Sequence, residues 1–302
     1  MKTPLMLFTR HARALSLLVG ATAGLTVHGL ASVIVDDPFD YLSGSSLPGQ
    51  SGGVGWSGSW SLIGAGAAGT IQSNAFTAPS GYGYSTSSTS LQLTPGTGNV
   101  TARRAPSSTI NLNPTSTQTY YYSILFSRVD SDPSQSNEVV SFLSMTNSSG
   151  QELVRFGTNS SEGLNILSTT NAGSANSVNS AANIYSTGTT FENAAQYLIL
   201  CKMELNAAGT ADIFSMSLYP AAGSVPSSEP AVWTLTMSAD LSGTITNFNM
   251  AGTVNVGAVN FENFYFGSTY ASVVPEPASS RLVVGMLSLG AISFLWRRRT
   301  RR

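Results

Sequence analysis

Between about residues 32 and 273 the chain alternates apolar and polar positions with a period of two, broken at short intervals by Gly, Ser, Asn and Pro. That period puts successive side chains on opposite faces of an extended strand. The longest run is Thr119–Val129 (TYYYSILFSRV), rich in aromatic and β-branched residues. Glu138–Met145 and Glu152–Gly157 follow, separated by the turn Thr146-Asn147-Ser148-Ser149-Gly150. Leu164–Leu167, Tyr197–Leu205, Ile213–Tyr219, Val232–Met237 and Asn260–Gly267 complete the predicted strands. Phe214, Met216 and Leu218 share a face, as do Trp233, Leu235 and Met237, with Ser or Thr on the other side. Alternation of this kind marks antiparallel sheets with one face on a core. Tyr197, Ile199, Cys201, Met203 and Leu205 line up in the same way. Cys201 therefore reads as a small core residue rather than a nucleophile. No amphipathic helix is visible in this region. The pattern predicts an all-β fold, an antiparallel jelly-roll-like β-sandwich. A β-helix would need a repeat of fixed period, and none is present. The Ser/Asn stretch Ser168–Asn183 reads as a flexible loop, or as a loop holding one short extra strand.

Both ends break the pattern. Lys2, Arg10 and Arg13 precede the apolar run Ala14–Val27, and Gly29 and Ala31 are small residues at the spacing signal peptidase accepts. Residues 1–31 thus read as a signal peptide cut after Ala31, with an uncleaved anchor as the alternative. At the other end Val274-Pro275-Glu276-Pro277-Ala278-Ser279 leads into the uncharged run Leu282–Trp296 and then Arg297, Arg298, Arg299, Thr300, Arg301 and Arg302. As a helix that run spans roughly 22 Å, short of the ~30 Å of a bilayer core. Arg281 and the terminal arginines can snorkel, and Trp296 suits the interface. The basic end predicts a cytoplasmic C-terminus with everything before the helix outside. Pro275 and Pro277 hold the preceding residues extended, where a protease can reach them.

The Pro275-Glu276-Pro277 signature, the short helix and the arginine cluster together resemble the PEP-CTERM sorting signal of Gram-negative bacteria. The resemblance implies an exosortase, a membrane protease-transpeptidase, as processing partner. It also implies a membrane-anchored precursor and delivery to the cell envelope, outer surface or extracellular matrix. A plain C-terminal membrane anchor is the alternative. The expected organisation is signal peptide 1–31, ectodomain 32–273 and sorting signal 274–302, the last with a short transmembrane helix.

Setting the ends aside changes the charge balance. The whole chain carries 14 basic and 15 acidic residues. The ectodomain keeps only Arg103, Arg104, Arg128, Arg155 and Lys202 against 14 acids, a net charge of −9. So few cations argue against nucleic acid as a partner, because phosphate contacts need Lys and Arg. Both histidines, His11 and His28, fall in the signal peptide. The mature chain thus lacks a Ser-His-Asp or Cys-His arrangement and the usual zinc or copper ligands. With Cys201 alone, no intramolecular disulfide can form.

Asp36-Asp37-Pro38-Phe39-Asp40-Tyr41 and Gly52-Gly53-Val54-Gly55-Trp56-Ser57-Gly58-Ser59-Trp60 resemble the opening of exported PEP-CTERM proteins with concanavalin-like, laminin-G-like jelly-roll domains. Gln196–Pro220 resembles that group's paired strands, and Phe261–Tyr270 its last strand, with Glu262 where the group usually has Asp. The resemblance implies the fold and says little about ligand.

Three constellations carry candidate chemistry. Asp36, Asp37 and Asp40 could offer oxygens to Ca²⁺, although their spacing is not that of an EF-hand and strand-start caps would look the same. No other cofactor is expected. Trp56 and Trp60, with Tyr82, Tyr84, Tyr120, Tyr121 and Tyr122, could stack on sugar rings if exposed, or pack in the core. The carboxylates Glu138, Glu152, Glu162 and Glu204 could serve a glycosidase if two of them oppose each other at ~5–9 Å. The Glu-x-Asp-x-Glu string of concanavalin-like glycosidases does not occur. The Asn-x-Ser/Thr sites Asn99, Asn147 and Asn159 read as turns in a bacterial chain. The sequence therefore predicts an exported, non-enzymatic envelope or matrix protein, structural or adhesive among extracellular polysaccharide. A glycan-active enzyme of the same fold is the alternative.

Overall fold

The computed structural model describes residues 32–74, 76–129, 139–158, 164–169, 175–179, 195–253 and 257–275. The expected signal peptide, Glu276, Pro277, Leu282–Trp296 and the terminal arginines lie outside them, as do Glu138, Asn159 and Glu162. No helix among the described residues is long and apolar enough to cross a membrane.

In chain order the strands are β1 (Val33–Asp37), β2 (Ser61–Ile63), β3 (Ala68–Gln72), β4 (Ser90–Thr94), β5 (Val100–Arg104), β6 (Ile110–Asn111), β7 (Gln118–Val129), β8 (Val140–Thr146) and β9 (Glu152–Thr158). Then come β10 (Leu164–Thr169), β11 (Ala175–Asn179), β12 (Gln196–Leu205), β13 (Asp212–Pro220), β14 (Leu235–Ala239), β15 (Thr244–Ile245), β16 (Asn247–Gly252) and β17 (Ala258–Gly267). A 3₁₀ turn at Tyr270–Ser272 follows. One sheet runs β14-β13-β12-β7-β17-β4-β3, with β1 also on β17. The other runs β11-β10-β9-β8-β16-β5-β2. All the pairings between strands are antiparallel.

The core between the sheets is made by the inward members of each alternation. Ile124 and Phe126 of β7, Ile199, Cys201 and Met203 of β12 and Phe261, Phe264 and Phe266 of β17 meet Phe142, Met145, Phe156 and Phe248 of the facing sheet. Ring pairs cross the gap at Phe126–Phe142 (4.8 Å) and Phe248–Phe266 (5.1 Å). This is the all-β sandwich that the alternation predicts.

The larger sheet departs from the one-sided expectation. Leu125, Leu198, Leu200, Tyr121 and Tyr265 point the other way and are buried too, under Phe76, Tyr82, Val225, Tyr270, Val273 and Val274. Two loops and the final segment therefore cap the outer face. The loops hold each other through Ser80 N to Gly223 O (3.0 Å) and Val225 N to Ser80 O (2.8 Å). Two single elements follow. Within Ser168–Asn183, residues 175–179 form β11, paired with β10, which is the extra strand offered as one reading of that stretch. The strand expected at Val232–Met237 begins only at Leu235. Val232 is exposed, and Trp233 packs on the outer cluster, away from Leu235 and Met237.

Near one end of the sandwich an ion pair is fully buried. Arg104 Nη1 lies 2.9 Å from Asp37 Oδ2, and both side chains are at most 2% exposed. Asp37 also accepts from Trp60 Nε1 (2.7 Å), the Tyr41 hydroxyl (2.6 Å) and the Phe39 amide (2.9 Å). Burial pushes the Asp37 carboxyl up, and these donors and the guanidinium hold it down. Arg104 donates further to Gly58 O (2.6 Å) and Gly52 O (2.7 Å), and its guanidinium lies over the Trp56 ring at 4.8 Å. The glycines here have a steric reason. Gly53 and Gly55 sit at φ +77° and +80°, and a Cβ on either would come within 2.0 Å of the Asp36 or Ile34 carbonyl oxygen.

Removing one partner leaves a buried charge alone. Asp37→Ala should lower stability by roughly 3–5 kcal/mol in denaturant titration; a loss under about 1 kcal/mol would show that the pair is not what closes this end. Cys201 is fully buried and burial pushes its thiol up. A thiol reagent should leave it unlabelled in the native protein and label it in denaturant, whereas fast native labelling would contradict this strand register.

Candidate functional site

The structure separates most of the residues the sequence nominated. Trp60 is 2% exposed, hydrogen-bonded to Asp37 and packed on Phe39 (5.7 Å) and Trp56 (5.3 Å). Trp56 is half-buried; its indole donates to Asp36 O (2.6 Å) and its ring meets Phe264 and Phe248. Trp60 is packed in the core, and Trp56 is partly buried against it, which is the core-packing alternative for these two rings. The three aspartates are not brought together either. Asp37 is committed to Arg104, Asp36 Oδ1 accepts from the Val54 amide (2.8 Å), and Asp40 is exposed. Among the described residues no group of three or more metal-ligating side chains converges.

The carboxylates are also apart. Glu204 lies beside Lys202 (3.4 Å) on the outer face of the larger sheet, the face opposite to Cys201 and Met203. Glu152 lies on the outer face of the other sheet, so the whole sandwich separates them. Sequence reasoning gave no role to Glu262, which is fully buried. Burial pushes its carboxyl up to about 7, against two backbone donors, Phe76 N and Ser87 N. A pKa in this range suits a general acid, but here the oxygens are occupied in holding a loop. Glu262 and Asn263, at φ +55°, form the bulge where β17 changes partner from β4 to β1. Asn263 Nδ2 donates to Ser85 O (3.1 Å), so the pair clasps the capping loop onto the sheet.

The outward face of β5, β16, β8 and β9 carries a polar pocket of about 180 Å³ lined by Thr101, Arg103, Ser141, Thr146, Glu152 and Asn249. Period two explains its position. Val100, Ala102 and Arg104 point inward, so Thr101 and Arg103 point out. Arg103 Nε donates to Asn249 Oδ1 (2.8 Å), and Asn249 Nδ2 donates to Ser144 O (3.0 Å). The Ser144 hydroxyl donates to Glu152 Oε2 (2.6 Å), while Arg155 Nη1 lies 3.6 Å from Glu152 Oε1. The β8–β9 turn is fixed by Asn147 Oδ1, which accepts from the Ser149 (3.1 Å) and Gln151 (2.9 Å) amides and so places Glu152. Thr101 and Arg103 were not among the candidate site residues because Val100–Arg104 does not figure among the strands predicted from the sequence. The signal was there, since Val100 and Ala102 alternate with Thr101 and Arg103.

The chain leaves the sandwich through a docked segment. Tyr270 donates to Pro226 O (2.6 Å), Tyr84 donates to Ser272 O (2.7 Å), and Ser123 Oγ donates to Val273 O (2.8 Å). Val273 and Val274 are both buried in this segment. Residues 273–299 match the PEP-CTERM protein-sorting motif. The C-terminus is a PEP-CTERM sorting signal. Such a motif implies exosortase-dependent export by way of a membrane-anchored sorting signal, and its first residues, Val273 and Val274, are buried in the folded sandwich.

No curated protein sequence matches the chain. Among solved structures it is similar to the receptor-binding domain of botulinum neurotoxin type G (10% identity, TM-score 0.45, 81% of this chain and 50% of that one). It is also similar to the T. cruzi calreticulin globular domain (11%, 0.43, 80% and 90%) and to an endo-1,3-β-glucanase from Streptomyces sioyaensis (11%, 0.42, 78% and 95%). The chain spans about half the length of the neurotoxin domain.

The clasp at Glu262 makes stability depend on pH. Its pKa in the folded chain stands above the usual 4.5, so its stabilisation is complete below about pH 4.5 and is lost as pH rises to about 7. Glu262→Gln should flatten the stability profile across this window by roughly 3 kcal/mol. Denaturant titrations at several pH values check it, and an unchanged slope would assign the effect to another group.

Proposed function

We propose that the mature protein is a non-enzymatic component of the cell envelope or extracellular matrix, meeting polysaccharide with the open face of its seven-stranded sheet. The observation that carries this reading is the unequal treatment of the two outer faces. Loops and the exit segment cap the larger sheet with an apolar cluster, while the other face keeps a pocket floored by Ser, Thr and Asn side chains. Ser141, Ser144, Thr146 and Asn249 are each at most 6% exposed, so they are held in place by their neighbours instead of being free in solvent. A pocket of this size admits one residue of a polymer at a time, and strength then comes from repeated contact along a chain. Among the described residues the pocket presents a single carboxylate, Glu152. A glycosidase needs two. In the precursor the arginine cluster keeps the C-terminus cytoplasmic and the sandwich outside. Calcium and nucleic acid have no part in this reading.

Intact-mass measurement of the envelope-associated protein tests the route. The main species should begin at Ser32 and lack Arg297–Arg302, and replacing Pro275, Glu276 and Pro277 with alanine should leave a membrane-retained precursor. A main species still carrying the arginine tail would sink the processing step. Release of reducing sugar from a matrix polysaccharide, lost in Glu152→Gln, would replace the non-enzymatic reading with the glycosidase one.

A further inference from the structure

Charge in the pocket is unevenly balanced. Glu152 is matched by Arg155 and by the Ser144 hydroxyl. Arg104 and Lys202 likewise sit beside carboxylates, the one with Asp37 and the other with Glu229 at 2.8 Å. Arg103 does not. It spends Nε on the Asn249 amide, and among the described residues no protein group accepts from its two Nη nitrogens. The hydroxyls of Thr101 and Ser141, which line the same pocket, are also without a protein partner. The site thus offers a guanidinium fork held at its root, with two free hydroxyls close by. A planar fork of this kind matches a carboxylate with two parallel hydrogen bonds, and hydroxyls match a sugar ring. Among the described residues no aromatic side chain lines the pocket, so the recognition these residues offer is polar and does not depend on ring stacking.

Resting on the reading that this face meets polysaccharide, we propose that the pocket takes an acidic sugar residue, a uronate, with its carboxylate on the Nη edge of Arg103 and its hydroxyls on Thr101 and Ser141. The ectodomain is acidic as a whole, which disfavours a polyanion at long range. That repulsion is screened beyond about 8 Å at physiological ionic strength, whereas a contact pair is not. Binding should therefore be weak at low salt and hold or improve as salt is raised to physiological strength. That is the opposite of attraction through a basic surface.

The test uses the mature processed protein in affinity electrophoresis through gels containing polygalacturonate, its carboxyl-reduced form, or a neutral β-glucan. Polygalacturonate should retard the protein, and reduction of its carboxyls to alcohols should abolish this without any change to the protein. Arg103→Gln should weaken retardation by about tenfold in apparent Kd, as expected for a lost charge-assisted pair. Its circular dichroism should stay that of the parent, and its thermal unfolding should shift by no more than the loss of one hydrogen bond to Asn249. Thr101→Tyr, which fills the pocket and keeps the arginine, should give the same loss. Equal retardation by all three polymers, or by polygalacturonate in the Arg103→Gln variant, would overturn the uronate assignment and leave the polysaccharide-facing surface standing. No retardation by any of the three would overturn both.

Discussion

The buried pair of Asp37 and Arg104 sets the constraint on which the remaining structure depends. Two charges taken out of water are costly unless every remaining donor and acceptor is matched. That requirement gathers Tyr41, Trp60, the Phe39 amide and the carbonyls of Gly52 and Gly58 around them. The glycine-rich turn must then pass within contact of β1, where only glycine fits. The pair also fixes register. Arg104 must point inward, so Arg103 must point outward, and a slip of one residue along β5 would exchange them. The core at one end and the pocket on the far face are thus two results of a single alignment.

Much of the sandwich was legible because its long strands alternate cleanly. β7, β12, β13 and β17 lie within one or two residues of where the pattern placed them. What was missed is short, or buried on both sides. β1 has five residues and β6 and β15 have two, too few for a period to declare itself, while the alternation of β5 is visible but short. Leu198 and Leu200 look like outward positions in a one-sided strand, and their burial depends on loops far away in sequence. Trp56 and Trp60 show the same limit from the other side. A tryptophan in a glycine-rich turn can be exposed or anchored, and only the position of Asp37 decides it. The pocket was the least legible part, since Arg103 meets Asn249 and Ser144 meets Glu152 only after strands distant in sequence have paired.

The two outer faces of the sandwich differ. The capped face accommodates the exit of the chain: Tyr270, Val273 and Val274 fill the apolar cluster that the loops enclose, and the sorting motif overlaps the fold at Val273 and Val274. Among the described residues the opposite face has no such apolar cover and carries polar side chains tied across β5, β16, β8 and β9. The exit segment and the polar pocket therefore lie on opposite sides of one core.

β1 and β17 are neighbours, Val33 standing opposite Gly267, and Ser32 O accepts from the Ser268 amide. The first strand to be synthesised therefore finds its partner only when the last has been made. A chain with contacts this distant closes slowly, and with its only cysteine buried it has no disulfide to hasten the search. Until then β1 has only its local bridge to Val54, through Asp36 N to Val54 O (3.0 Å) and Val54 N to Asp36 O (3.2 Å), so the sheet is completed by the joining of the two ends of the sandwich.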